Sequence, residues 1–138
     1  MLGSVFSESA PFAGAPGLLS APSILVVEDE ALATMMLEAM LAEVGCEIAA
    51  VAATVAEALA EIRACERISA AILDVNLNGQ KVFPVADALL RRDIPFVFST
   101  GYGPADLARR YPRAGLLFKP YGPEDLSQAL DDLEVGPF

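Results

Sequence analysis

Acids, a hydroxyl and an amine each stand at the end of an apolar run in this sequence. Asp74 follows Ala70-Ala71-Ile72-Leu73, and the cluster Glu28-Asp29-Glu30 follows Ile24-Leu25-Val26-Val27. Thr100 and Lys119 each end a further run. Short, continuous apolar runs are the pattern of parallel strands covered on both faces. If the four strands share one open parallel sheet, their carboxyl ends empty into one crevice, where such sheets bind ligands. Carboxylates gathered there raise one another's pKa unless a cation relieves the repulsion. Mg²⁺ suits the set, because it takes one or two carboxylates, retained waters and phosphate oxygens. Asp29, Asp74 and a backbone carbonyl near Asn76 supply the protein's share, and Glu28 acts through a coordinated water. Asp74 is then the nucleophile that attacks phosphorus and becomes an acyl phosphate, a role open to carboxylates. Thr100 hydrogen-bonds one phosphoryl oxygen and Lys119 neutralises another, so the work is positioning and charge stabilisation.

Each residue also has a plainer reading. Glu28 and Asp29 could cap a helix starting near Ala31, and a lone Asp after a strand is usually a cap or a loop residue. Thr100 could close a turn before Gly101, and Lys119 before Pro120 could be a solvated charge. Their joint placement at four strand ends favours the chemical reading.

The elements that must position these groups alternate strand and helix. Residues 1–22, rich in Ser, Gly, Ala and Pro, read as a flexible N-terminal tail, with the domain over 23–135. The first strand is Ile24–Val27, and a helix over Ala31–Val44 stops at Gly45. Glu47–Val51 is a weaker second strand. Thr54 and Glu57 make a capping box for a helix whose stripe is Val55, Ala58, Leu59 and Ile62. The third strand covers Ala70–Leu73, and Asn78-Gly79 marks a turn. A helix over Val82–Arg92 tolerates Pro84 only in its first turn. The fourth strand is Ile94–Ser99. Pro104–Tyr111 allows two helical turns at most, between Gly103 and Pro112. Leu116–Phe118 is the fifth strand, and Pro123 opens a last helix with the stripe Leu126, Ala129, Leu130 and Leu133. This predicts an α/β fold: a (βα)5 flavodoxin-like three-layer sandwich with parallel strand order 2-1-3-4-5 and a short fourth helix. That order places its switch point between strands 1 and 3, beside Glu28, Asp29 and Asp74.

The whole composition narrows the function. With 138 residues the chain suffices for one domain. Its net charge of -10 disfavours nucleic acid and anionic membranes as partners. Arg109, Arg110 and Arg113 remain a local basic group, read either as solvated surface or as a docking face. Without histidine the chain cannot be a phosphohistidine donor. Cys46 and Cys65 lack metal-ligand spacing and read as reduced thiols in a cytoplasmic protein. No apolar run reaches the roughly 20 residues that span a bilayer, and no signal peptide is evident.

At these residues the sequence resembles the receiver domain of two-component response regulators, over about residues 22–134. The motif pieces are Ile24–Glu30 (ILVVEDE), Ile72–Gly79 (ILDVNLNG), Pro95–Gly103 (PFVFSTGYG) and Phe118–Tyr121 (FKPY). The resemblance implies a CheY-like fold, with Asp74 as phosphoacceptor and Glu28 and Asp29 as the acidic pair holding Mg²⁺. It makes Asn76 the donor of a main-chain carbonyl to the ion, Thr100 the switch hydroxyl and Lys119 the phosphate-sensing lysine. Lys119-Pro120 is similar to the family's cis-peptide step. Three departures stand out: Glu28 replaces Asp, Leu116 replaces the usual aromatic three before the lysine, and the fourth helix is short. Phe98-Ser99-Thr100-Gly101-Tyr102 is similar to the Phe-Ala-Thr-Gly signature of mostly stand-alone receivers, often paired with an atypical class of histidine kinases. Tyr102 is a candidate to replace the aromatic missing at Leu116.

The leading expectation is a single-domain response regulator, not a classical enzyme, that accepts a phosphoryl group from a histidine kinase or histidine phosphotransfer protein. The chain ends soon after the fifth helix, so its output is expected to be contact with an effector protein or service as a phosphate sink. The alternative is a receiver-like interaction module working without phosphorylation, against which the intact site argues. An aspartyl-phosphate hydrolase is disfavoured because Asn76 stands where its second acid belongs. A flavin-binding module lacks the expected Ser/Thr-rich loop after the first strand.

Overall fold

A computed structural model describes residues 21–101 and 105–133. The readings of most of the N-terminal tail and of Tyr102 lie outside the described residues. In chain order the elements are β1 (Ser23–Val27), α1 (Ala31–Glu43), β2 (Glu47–Ala52), α2 (Val55–Ala64), β3 (Ala70–Asp74) and the short pair β4 (Asn76–Leu77) and β5 (Gln80–Lys81). They continue with α3 (Phe83–Arg91), β6 (Phe96–Thr100), α4 (Ala105–Arg110), β7 (Gly115–Phe118) and α5 (Pro123–Asp132).

The apolar runs form one five-stranded parallel sheet in the order β2-β1-β3-β6-β7. Counting only the sheet strands, this is the expected 2-1-3-4-5. Each central strand must be apolar on both faces, because alternate side chains enter different cores. Leu25, Val27, Ala71, Leu73, Phe96 and Phe98 meet the buried faces of α2, α3 and α4. Ile24, Val26, Ala70, Ile72 and Val97 meet Leu37 and Leu41 of α1 and Leu126, Ala129 and Leu130 of α5. Three layers result, with α1 and α5 on one side and α2, α3 and α4 on the other.

Local signals set the joints. Thr54 Oγ1 accepts from the N–H of Glu57, the first half of the expected capping box, while the Glu57 carboxylate reaches one residue further back and accepts from the N–H of Ala53 instead of that of Thr54. Gly45 (φ 89°) follows the end of α1, where a left-handed residue turns the chain toward β2. Pro84 sits in the first turn of α3, where its missing N–H costs nothing. The Asn78-Gly79 turn goes further than expected. Both residues have positive φ (52° and 89°), and they close the antiparallel pair β4–β5, in which Asn76 faces Lys81.

Candidate functional site

The site lies where β1, β3, β6 and β7 end. β1 and β3 are hydrogen-bonded neighbours, so Glu28 and Asp29 leave the sheet beside Asp74. Carboxylate oxygens of Glu28, Asp29 and Asp74 all lie within 4.8 Å of one another. The capping reading of these acids does not hold: α1 is preceded by Glu30, which makes no side-chain cap bond. Asp29 Oδ2 instead accepts from the N–H of Asn78 at 2.9 Å, tying the first strand's acid to the β4–β5 hairpin. Glu28 Oε2 accepts from the N–H of Glu30 at 3.2 Å.

Lys119 reaches into the cluster from the end of β7. Its Nζ stands 3.4 Å from Asp74 Oδ2 and 3.5 Å from Glu28 Oε1. The solvated-charge reading of Lys119 therefore fails, its side chain being only 31% exposed. Its N–H donates to the carbonyl of Thr100 at 2.9 Å, which joins the ends of β6 and β7. The Lys119-Pro120 peptide is cis, as the resemblance implies. Thr100 is buried at the end of β6, beside Phe118 in register. Asn76 is exposed two residues past Asp74 and donates its N–H to Asp74 Oδ1 at 3.4 Å. The structure thus brings Glu28, Asp29, Asp74 and Lys119 together, with Asn76 flanking them at the start of β4 and Thr100 at the end of β6.

The electrostatics are those of a site built for a cation. Burial, then the negative charge of Asp74, pushes Glu28 up to about 7, although Lys119 pulls the other way. Burial works against the charge on Lys119, but Asp74 and Glu28 outweigh it and its pKa is raised. One ammonium does not satisfy three crowded carboxylates. The donors are all oxygen, which fits Mg²⁺. The cluster is positioned like the Mg²⁺ sites of receiver domains.

Sequence reasoning missed the backbone N–H of Asn78 as a support for Asp29. Its signal was the Asn-Gly dipeptide, read only as a turn. It also missed an aromatic cluster behind β6. Tyr111 stacks on Phe83 with ring centroids 5.9 Å apart and meets Phe98 edge-on at 5.3 Å. The Tyr111 hydroxyl donates to Asp87 Oδ1 at 2.8 Å. Leu116, at the missing-aromatic position, packs partly buried against this same core.

Fold and acid cluster together are those of a receiver module, and residues 24–131 match the response regulator receiver domain family. The chain belongs to that family, whose receivers act as phosphoacceptors rather than classical enzymes and work with histidine kinase and phosphotransfer systems. It is similar to SdrG from Sphingomonas melonis Fr1, at 42% identity and a TM-score of 0.74, over 85% of this chain and 99% of that one. It resembles the receiver domain of Erythrobacter litoralis PhyR at 26% identity and a TM-score of 0.70, over 86% of this chain and 93% of that one. Phyllosphere-induced regulator PhyR of Methylorubrum extorquens is 31% identical over 113 residues, which are 80% of this chain but 42% of that protein. The chain therefore spans less than half the length of this curated relative. Among the described residues no helix is long and apolar enough to cross a membrane.

Proposed function

We propose that this protein is a single-domain response regulator that accepts a phosphoryl group onto Asp74 from a histidine kinase or histidine phosphotransfer protein. The observation that carries the reading is the Glu28–Asp29–Asp74 cluster with Lys119 Nζ 3.4 Å from Asp74. A carboxylate oxygen of Asp74 attacks phosphorus as the P–N bond to the donor imidazole breaks. The electron pair returns to the imidazole nitrogen and an acyl phosphate forms. Asp29, Asp74 and the main-chain carbonyl of Asn76 would hold Mg²⁺, with Glu28 reaching it through water. The ion would neutralise the phosphoryl oxygens as charge shifts. Lys119 is placed to pair with one phosphoryl oxygen and the hydroxyl of Thr100 to hydrogen-bond another.

The receiver occupies residues 23–135 in this reading. The match over 99% of the SdrG chain supports a receiver acting by itself. SdrG also has a BeF₃-activated conformation, and that structure is 44% identical to this chain. The segment Phe98–Tyr102 resembles the Phe-Ala-Thr-Gly signature, which supports a donor of the atypical kinase class. The donor meets the exposed side of α1, and the output is contact with an effector or a phosphate sink. Free Cys46 and Cys65 suit a cytoplasmic setting.

Incubation with acetyl phosphate and Mg²⁺ tests the assignment by intact mass. One phosphoryl group is expected on the parent and none on Asp74→Asn. Equal labelling of the two proteins rejects Asp74 as the acceptor. A folded parent that no phosphodonor or kinase labels is instead the interaction module that works without phosphorylation.

A further inference from the structure

Far from Asp74, at the other end of the sheet, lies a cleft of about 370 Å³. It opens between the end of α3, the start of β6, the segment after α4 and the start of β7. Ile94, Phe96 and Ala114 contribute to its apolar lining, and Leu90 stands at its edge with 49% of its surface exposed. Arg110, Arg113 and Asp93 supply its charges, two guanidiniums against one carboxylate on a protein of net charge -10. Neither arginine has a carboxylate partner among the described residues, whereas neighbouring Arg109 is paired with Asp106 at 3.1 Å. Arg110 is held in place, its guanidinium 4.3 Å from the centre of the Phe83 ring. The negative end of a helix accounts for arginines in the last turn of α4, but not for Arg113, which lies beyond it.

We propose that this cleft docks an acidic segment of a partner protein through one large apolar anchor side chain. The apolar lining takes the anchor, and Arg110 and Arg113 take carboxylates on either side of it. A volume of 370 Å³ lies near the lower bound of ligand clefts, roughly 300–1,000 Å³, and so suits an anchor side chain with its neighbours. A basic spot on an otherwise acidic molecule also selects the register, because an acidic segment is repelled elsewhere on the surface. β6 runs from Phe96 to Thr100, so the cleft is one strand length, on the order of 13 Å, from the acid cluster. A partner seated here leaves Asp74 open, and docking can coexist with phosphotransfer.

The test is a titration of the full, isotopically labelled chain with two capped peptides, EDLFED and KKLFKK, followed by amide chemical shifts. The acidic peptide is expected to shift Leu90, Ile94, Tyr111 and Ala114 and to weaken with added salt, while the basic peptide leaves them in place. Arg113→Glu should weaken binding by about fivefold, the scale of one exposed ion pair. Arg113→Lys should stay within about twofold of the parent, and the dispersion of the amide spectrum reports that each variant is folded. Equal response to both peptides, no response, or shifts confined to α1 would overturn the proposal. So would binding that appears only after residues 134–138 are removed, since the chain itself would then be the occupant. Phosphorylation of Asp74 is read separately and does not enter these outcomes.

Discussion

Lys119 and a divalent cation at the acid cluster would compete for the same oxygens. The ammonium stands 3.4 Å from Asp74 and 3.5 Å from Glu28, two members of the cluster offered to the metal. Replacing it with an uncharged chain of similar length removes a positive charge from beside the ion. Lys119→Met is therefore expected to bind Mg²⁺ about tenfold more tightly, a change of about 1.4 kcal/mol that a nearby charge supplies in a partly screened site. Calorimetric titration checks this, and unchanged or weaker affinity would show that the lysine does not oppose the metal. Cys46 makes a second residue-level case. Burial pushes its thiol from the ordinary 9.0 up to about 12. The unfolded chain releases this proton above about pH 9 while the folded chain keeps it, so the unfolded state gains as the solution becomes alkaline. The stability linked to Cys46 is complete below that pH and is lost as pH rises toward 12. Urea midpoints near pH 8 and near pH 10.5 should fall further apart in the parent than in Cys46→Ala. Equal pH dependence in the two proteins would remove Cys46 from the account.

Among the elements, α4 depends most on single contacts. It has six residues, and among the described residues the buried side chains there are Leu107 and, just beyond its end, Tyr111. Helices this short gain little from their own hydrogen bonds and are held by packing. Tyr111→Phe keeps the stacking on Phe83 but loses the bond to Asp87, at a cost of about 1 kcal/mol. Tyr111→Ala loses the ring as well, at about 3 to 5 kcal/mol. Amide exchange should be faster in α4 than in α5 in the parent, and faster still in α4 when Tyr111→Phe is made. Equal protection of α4 and α5, or a loss spread over the whole domain, would contradict the anchoring role. The same elements show what the sequence made legible. The central strands could be read because burial on both faces leaves an unbroken apolar run, as in Ile24–Val27 and Ala70–Leu73. Glu28, Asp29, Asp74, Thr100 and Lys119 could be read because each ends such a run. The partners of Tyr111 could not, because Phe83, Asp87 and Phe98 lie in elements that only the fold brings together. The hairpin β4–β5 was hidden for another reason: strands of two residues carry no periodicity, and Asn78-Gly79 signalled only a turn. What ties Asp29 down is the main-chain N–H of Asn78, and the Asn-Gly dipeptide signals that a turn is there but not which side chain its N–H meets.

At the scale of the whole molecule, the acid cluster is a local concentration of a general excess. A protein of net charge -10 already resists compaction, and three carboxylates within 4.8 Å add to that resistance where the strands converge. The raised Glu28 shows that burial and Asp74 together outweigh the help from Lys119. Relieving the crowding should therefore stabilise the fold by either of two routes. Mg²⁺ held at the cluster would bind the folded state through residues from separate strands, which the unfolded chain cannot assemble. At a concentration a hundred times its dissociation constant it is expected to add about 2.7 kcal/mol. Asp74→Asn removes one of the repelling charges while leaving Lys119 paired to Glu28, and should stabilise the metal-free protein by about 1 kcal/mol. It also deletes a ligand, so the gain from Mg²⁺ must shrink in the same variant. The two routes act on one source of instability, which makes their combination less than additive. Chemical denaturation of parent and variant, each with and without millimolar Mg²⁺, closes this cycle. If Asp74→Asn is less stable than the parent without metal, the ion pair with Lys119 outweighs the repulsion. If its response to Mg²⁺ equals the parent's, the ion is bound elsewhere and the acid cluster is not its site.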